Sequence, residues 1–419
     1  MTRRPVNSQG QPRARPRSSA ECVARILGWC LVPTLVAGTL TTFGWLGSRH
    51  AHAGAIAVTP VATTAAARPP MGWNDWYQDR CAVTEAEILQ NARELVSTGL
   101  AADGYDTVVI DDCWMAATRS AAGKLLPDAA TFPDGISYVA NVVHSLGLKL
   151  GIYASAGMAT CSGRSGSYGH YAQDADAFAS WGVDFVKLDS CHLPSGANPA
   201  TLFNRFGTAL SAANRGVVYS QELPVNAARS PGSPSFTALV AASSATSNMW
   251  RIAPDEQPTV AAGVSITQHL EADLPLYPFA SPGHWNDLDM LLAGNSVFSY
   301  SLSAQENQAD IWAMESSPMI ASGDLTAAAS LTVLGNKKVI AIDQEGVQGK
   351  LVAIQGSIDI IAKPGSVMLV NTSSARTDVR YRVPGQLINV WGNGKPARTT
   401  DGYLYRSLPG YGVLMFTVR

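Results

Sequence analysis

The sequence predicts an α/β chain, a (β/α)8 barrel followed by a small C-terminal antiparallel β-sandwich domain. Three observations carry that expectation. Between residues 68 and 325, short β-branched runs alternate with stretches of helical periodicity. The runs are apolar almost throughout rather than at every second position, as expected of parallel strands covered on both faces. After about residue 350 the helical periodicity stops, and turn signals divide short alternating strands.

In chain order, the strands are expected at Met71-Gly72-Trp73 and at residues 105–110 (YDTVVI), 149–153 (KLGIY), 184–188 (DFVKL) and 216–220 (GVVYS). Fainter ones follow at 248–252 (NMWRI), 285–291 (WNDLDML) and 318–322 (PMIAS). Helices are expected between them. Thr84 and Glu87 form a capping box, and Ile88, Ala92, Leu95 and Val96 then make one apolar stripe. Ile136, Val139, Val142 and Val143 make a second stripe closed by Gly147, and Leu202, Phe203, Phe206 and Leu210 a third. Eight such units in about 260 residues suit a closed barrel better than an open sheet. In the last segment Lys363-Pro364-Gly365, Pro384-Gly385 and Gly392-Asn393-Gly394 mark turns.

Ahead of the barrel lies a different texture. Residues 1–53 carry seven Arg and one Glu, and residues 26–47 are uncharged and end near Ala51-His52-Ala53. A basic region, an apolar run and a small-x-small triplet form the layout of an export signal cut after Ala53. A retained membrane anchor is the alternative, because 22 uncharged residues are long enough to cross a bilayer. The expected divisions are thus a 1–53 signal, a 54–350 barrel and a 351–419 β domain, in a protein secreted and free of the membrane once cut. The remaining chain holds 23 basic and 31 acidic residues, a net of −8, which argues against nucleic-acid binding. Cys22 and Cys30 leave with the signal. Cys81, Cys113, Cys161 and Cys191 remain, and outside the cytosol they imply two disulfides with three possible connectivities. Asn371-Thr372-Ser373 fits a glycosylation sequon.

Active sites of such barrels form at the carboxyl ends of the strands, and polar side chains collect there. Trp76 follows the first strand, Asp111 and Asp112 end the second, Tyr153 the third, Lys187 and Asp189 the fourth, and Glu222 the fifth. Arg251 and Asp255 follow the sixth, and Asp287 and Asp289 lie on the seventh. Carboxylates accept from sugar hydroxyls, and Trp or Tyr covers the apolar side of a pyranose. Two carboxylates divide the work of cleaving a glycosidic bond. Each residue also has a bland reading, since an Asp at a strand end is more often a helix cap or loop ligand than a catalyst. Asp111-Asp112 and Asp287-x-Asp289 would also suit a divalent cation. The absence of HExxH, a phosphate loop and GxSxG removes three other enzyme classes. Trp181, Trp312 and most Phe residues are expected in the core.

Taken together, these segments resemble the melibiases of glycoside hydrolase family 27, the retaining α-galactosidases and α-N-acetylgalactosaminidases. The resemblance rests on Met71-Gly72-Trp73-Asn74 with Trp76, Ile110-Asp111-Asp112-Cys113-Trp114, Lys149-Leu150-Gly151-Ile152-Tyr153 and Thr160-Cys161. It continues through Lys187-Leu188-Asp189-Ser190-Cys191, Trp250-Arg251 and Gly283-His284-Trp285-Asn286-Asp287, in order and spacing over residues 69–350. It implies Asp189 as nucleophile and Asp255, four residues after Arg251, as acid/base. It further implies Trp76, Asp111, Asp112, Tyr153, Cys161, Lys187, Glu222, Arg251, Asp289 and Met290 as the galactose-binding set. It maps the disulfides as Cys81–Cys113 and Cys161–Cys191, and it implies no metal or organic cofactor.

Two further expectations attach to these roles. Lys187, two residues from Asp189 on one strand face, should keep that carboxylate ionised. Glu222 and Val225 occupy positions that are small in N-acetylgalactosaminidases, so a galactose C2 hydroxyl is expected in place of an acetamide. The chain also departs from the family pattern. Gln221 and Ser247 stand where a further disulfide is usual, Leu223 replaces an aromatic, Ser155 replaces a carboxylate, and Asp287-Leu288-Asp289 replaces Asp-Pro-Asp. The expected activity is that of a secreted retaining α-galactosidase acting on oligosaccharides or glycans. The alternatives are β-L-arabinopyranosidase, α-N-acetylgalactosaminidase or isomaltodextranase specificity, a sugar-binding protein without catalysis, and a metal-dependent barrel hydrolase.

Overall fold

The computed structural model describes residues 64–213, 216–228 and 233–419. The expected signal, with Cys22 and Cys30, lies outside the described residues. Eight parallel strands form the barrel: β1 (Met71–Asn74), β2 (Thr107–Ile110), β3 (Lys149–Ser155), β4 (Phe185–Asp189), β5 (Val218–Gln221), β6 (Met249–Arg251), β7 (Trp285–Asp287) and β8 (Met319–Ala321). Neighbours in sequence are neighbours in space, and β1 also pairs with β8. The last gap closes just beyond β7, where the Leu291 N–H donates to Ile320 O at 2.8 Å and Ser322 N–H donates to Leu291 O at 2.8 Å. All residues of β1, β2 and β5 are buried, the signature of strands covered on both faces. Register at the β1–β2 seam needs Gly72, since a Cβ there would stand 2.0 Å from Thr107 O.

The outer helices follow the expected stripes with two corrections. Ile88, Ala92 and Leu95 are fully buried, but Val96 faces outward at 43% exposure and Val142 is only partly buried. The helix Glu85–Ser97 begins as predicted, with Thr84 Oγ1 accepting from the Glu87 N–H. Glu87 does not complete the reciprocal bond of a capping box, because its carboxylate accepts from the Thr84 hydroxyl at 2.9 Å instead. Trp312 is fully buried, whereas Trp181 packs on the core from a partly buried position.

Beyond the barrel lie β9 (Lys350–Gln355), β10 (Ile358–Lys363), β11 (Ser366–Asn371), β12 (Thr377–Arg382), β13 (Leu387–Asn389), β14 (Tyr403–Leu408) and β15 (Val413–Val418). They form a five-stranded antiparallel sheet, β13-β15-β11-β10-β9, and a β12-β14 pair. The period of two is visible across this sheet. Ile358, Ile360, Val367 and Leu369 face the β12–β14 pair's Val379, Leu404 and Leu408, while Ile361, Met368 and Val370 join the barrel's core. Lys363 reaches the helix Leu302–Glu315, donating to Ala313 O at 2.8 Å, and Trp391 Nε1 donates to Asp310 at 2.9 Å. The sequon reading does not survive in the folded chain. Asn371 is fully buried, and its Nδ2 donates to the carbonyls of Ala375, Leu408 and Pro409. No helix of the described residues is long and apolar enough to cross a membrane.

Candidate active site

The carboxyl ends of the strands carry one continuous polar network. It starts at Asn74, the last residue of β1, whose amide donates to Asp111 Oδ2 at 2.7 Å while its own oxygen accepts the Trp76 N–H. Lys187, inside the barrel on β4, bridges Asp111 Oδ2 (2.8 Å) and Glu222 Oε1 (3.1 Å). Arg251, at the end of β6, takes up the chain at Glu222 Oε1 (3.3 Å) and continues to Asp255 (3.1 Å) and Asp289 (3.0 Å). Met290 N–H closes it on Asp289 Oδ1 at 2.8 Å. Buried charges on this scale are tolerable only because each has a partner of opposite sign.

Asp189 ends β4 and is 7% exposed. Tyr153 Oη donates to its Oδ2 at 2.9 Å, Ser190 N–H donates to Oδ1 at 2.6 Å, and the Cys161 sulfur touches Oδ2 at 3.0 Å. Asp112 fixes the adjacent loop by accepting from Cys113 and Ser162 N–H. The network thus joins Asp111, Lys187, Glu222, Arg251, Asp255, Asp289 and Met290, with Tyr153 and Cys161 on Asp189 and Asp112 in the adjacent loop. Trp76 enters it only through its backbone N–H and turns its ring to Arg80. The two disulfides, Cys81–Cys113 and Cys161–Cys191, pair as the resemblance implied.

The expectation for Lys187 requires correction. Its ammonium is committed to Asp111 and Glu222, and those carboxylates outweigh burial and hold its pKa well above the ordinary lysine value. Burial and the charge of Glu222 push Asp189 up to about 7, with Lys187 only pulling against them. Asp255 behaves in the opposite sense. Its side chain is half-exposed, and partial desolvation, which pulls it upward, loses to the guanidinium of Arg251 and the charge of Lys187, which lower it below the usual carboxylate range. Asp289, buried beside Asp255, rises to about 7 despite Arg251.

A cavity of about 990 Å³ opens over this network, and its lining includes Asp189, Glu222, Asp255, the Cys161–Cys191 disulfide and Val225. Among the described residues, Cys161, Asp189 and Cys191 are the only trio close enough to suggest metal ligation. Their sulfurs are joined to each other, so no thiolate is offered. The pairs Asp111-Asp112 and Asp287-x-Asp289 spend their oxygens on Lys187, Arg251 and backbone N–H groups instead of converging on a cation site.

This geometry can be set beside known proteins. A family model described as Alpha galactosidase A matches residues 68–345, more than half of the chain. The chain belongs to glycoside hydrolase family 27, the melibiases. Alpha-galactosidase 2 of Arabidopsis thaliana is 37% identical over 331 residues, covering 75% of this chain and 78% of that protein. The alpha-N-acetylgalactosaminidase of Gallus gallus is 35% identical over 333 residues, covering 75% and 80%. The crystal structure of alpha-galactosidase I from Mortierella vinacea superposes with a TM-score of 0.74 at 28% identity, over 84% of this chain and 97% of that one. The family makes this chain a glycoside hydrolase.

Sequence reasoning missed several residues that shape this family 27 site. Tyr77 Oη donates to Asp289 Oδ2 at 2.5 Å, and Asp75 Oδ1 accepts the Asp111 N–H at 2.7 Å. Glu256 is buried beside Asp255, and its N–H donates to Asp289 at 2.9 Å. Asn74 sits within a quoted motif, but its bond to Asp111 depends on the β1–β2 register. Where the family's extra disulfide is missing, Gln221 Nε2 donates to Thr246 Oγ1 at 3.3 Å, a polar replacement beside Ser247.

Proposed function

We propose that this protein hydrolyses terminal α-linked galactose with retention of configuration, and that Asp189 and Asp255 perform the two displacements. The observation that carries the reading is that both carboxyls line one cavity, with Glu222 between the cations Lys187 and Arg251 on its floor. In the first step Asp189 attacks the anomeric carbon, the bond to the leaving oxygen breaks, and that oxygen takes the Asp255 proton. In the second, water gives its proton to Asp255 and attacks the same carbon, which releases Asp189. Retention by this route corresponds to carboxyls roughly 5–5.5 Å apart.

Tyr153, donating to Asp189, shares the nucleophile's charge. Asp111, with its oxygens fixed by Asn74, Lys187 and the Asp112 N–H, is a preorganised acceptor for sugar hydroxyls. Relatives of both galactosidase and N-acetylgalactosaminidase name match this chain, so the cavity wall decides between them. Glu222 and Val225 are buried in that wall. A carboxylate there accepts from a C2 hydroxyl, and the pair leaves little room for an acetamide. We also infer that the enzyme acts outside the reducing cytosol after loss of its leader, as its two disulfides support.

The test is release of p-nitrophenol from α-galactoside, α-N-acetylgalactosaminide and β-L-arabinopyranoside, with and without EDTA, for wild type and Asp189→Asn. The expected result is α-galactoside turnover that EDTA leaves intact and Asp189→Asn abolishes. Binding without turnover, turnover in Asp189→Asn, or loss to EDTA would each contradict it.

A further inference from the structure

The cavity is larger than one pyranose needs, since about 990 Å³ lies at the top of the ~300–1,000 Å³ range of pockets that enclose a whole ligand. From Asp189, Glu222 and Asp255 its lining continues past Pro254 to Gln257, Gln268 and Glu271. The last two stand three residues apart on the helix Ala262–Asp273 and so share one face of it. Thr267, His269 and Leu270 are buried, which leaves Gln268 and Glu271 to face the cavity.

This wall is held rigidly against the loop that carries Asp255. Ser265 Oγ, from the same helix, donates to Glu256 at 2.5 Å, and a His269 ring nitrogen lies 3.1 Å from Pro254 O. Gln257 Nε2 donates back to Asp255 O at 3.3 Å. Two primary amides and a carboxylate supply donors and acceptors suited to hydroxyl groups. Among the described residues this wall carries no aromatic or cationic side chain, and Lys187 and Arg251 beneath it are committed to Asp111, Glu222 and Asp255. It thus offers neither a stacking platform for an aryl or lipid group nor a free counter-ion for an acid. Asp359 of β10 lies near this end, where burial and then the charge of Glu271 raise its carboxyl above the ordinary value.

We propose that Gln257, Gln268 and Glu271 form the leaving-group side of the site, which accepts a neutral or cationic polyhydroxylated aglycone and rejects a carboxylated one. This rests on the catalytic reading of the same cavity. It is tested with three probes: p-nitrophenyl α-galactoside, 4-O-α-galactosylglucose, and its analogue bearing glucuronic acid in place of glucose, whose C6 carboxylate is left free.

For Gln257→Ala and Gln268→Ala, the ratio of disaccharide to aryl kcat/KM should fall about tenfold, the scale of one hydrogen bond. For Glu271→Gln, the ratio of uronate to neutral disaccharide should rise about tenfold, and the rise should shrink in salt. Calorimetric binding of both disaccharides to full-length Asp189→Asn, with and without the wall substitutions, provides a readout independent of turnover. If wild type hydrolyses the probes but the wall substitutions move no ratio and no affinity, the wall is overturned and the catalysis stands. If wild type hydrolyses none of them while the wall substitutions still alter disaccharide affinity, the wall stands and the catalytic reading fails.

Discussion

Arg251 grips the Asp255 carboxylate at 3.1 Å while holding Asp289 at 3.0 Å with the same nitrogen. The Asp189 and Asp255 carboxyls are pushed in opposite directions. Asp189 is raised to about 7 by burial and by Glu222, whereas Arg251 and Lys187 lower the half-exposed Asp255. Retaining catalysis needs the reverse arrangement, an ionised nucleophile and a protonated acid. On the proposed roles, both carboxyls shape the pH profile, Asp189 through its loss of a proton and Asp255 through its gain of one.

On the proposed roles, removing Asp255 isolates Asp189. In Asp255→Ala, with a dinitrophenyl galactoside whose leaving group needs no proton, kcat/KM depends only on Asp189 being ionised. It should climb about tenfold per pH unit below about 7 and level off above it. A profile flat from pH 5 to 8 would show that Asp189 is already ionised in the free enzyme. On an alkyl galactoside the same variant should lose about 10²–10⁴ in rate.

Glu256 anchors the loop that presents Asp255. Its carboxylate accepts from Ser265 Oγ (2.5 Å), Tyr300 Oη (2.9 Å) and Gln308 Nε2 (3.2 Å), all buried. Glu256→Ala should strand these donors at about 1–3 kcal/mol each in stability. It should slow alkyl galactosides by at least about tenfold more than dinitrophenyl galactosides, because only the former need a placed acid. Equal slowing of both substrates would assign Glu256 a purely structural role.

Glu222→Ser opens space at the sugar's C2 position but leaves Lys187 and Arg251 each short of a buried carboxylate. Galactoside kcat/KM should fall about 100-fold or more, and the ratio of N-acetylgalactosaminide to galactoside turnover should rise. A ratio that does not move would remove Glu222 as the specificity determinant.

Stability should fall as pH rises from about 4 to 7. Asp189, Asp273 and Asp289 are held near 7 chiefly by burial, above the roughly 3.9 of an unfolded chain, so the folded state binds more protons in that window. Lys363 works in the opposite direction at higher pH. Burial lowers it to about 8, so above that value the unfolded state holds the extra proton and stability recovers. The melting temperature should therefore be higher at pH 5 than at pH 7.5, and Asp189→Asn should flatten the slope between them. A melting temperature that rises from pH 5 to 7.5 would contradict these burial effects.

The barrel was legible because its strands announce themselves. Largely apolar runs such as TVVI, followed by Asp111, and FVKLD, ending at Asp189, lead into chemistry-bearing residues, and a parallel barrel gathers strand ends at one rim. Pairing choices were not legible. Lys187 and Asp189 share a strand face, yet only the closed ring shows Asp111 and Glu222 as the lysine's partners. Tyr77, on the short helix Trp76–Asp79, and Glu256, in a loop, reach Asp289 from 212 and 33 residues away, with no periodic signal to mark them. Asn371 failed as a sequon because a three-residue pattern does not record burial.

The most direct measurement of the double displacement is to trap the intermediate with a fluorinated α-galactosyl fluoride and locate the sugar by peptide mass spectrometry. One galactosyl unit should sit on the peptide containing Asp189, at that carboxyl, and none should form in Asp189→Asn. A sugar attached to any other side chain, or turnover that releases β-galactose first with no adduct, would contradict Asp189 as the nucleophile.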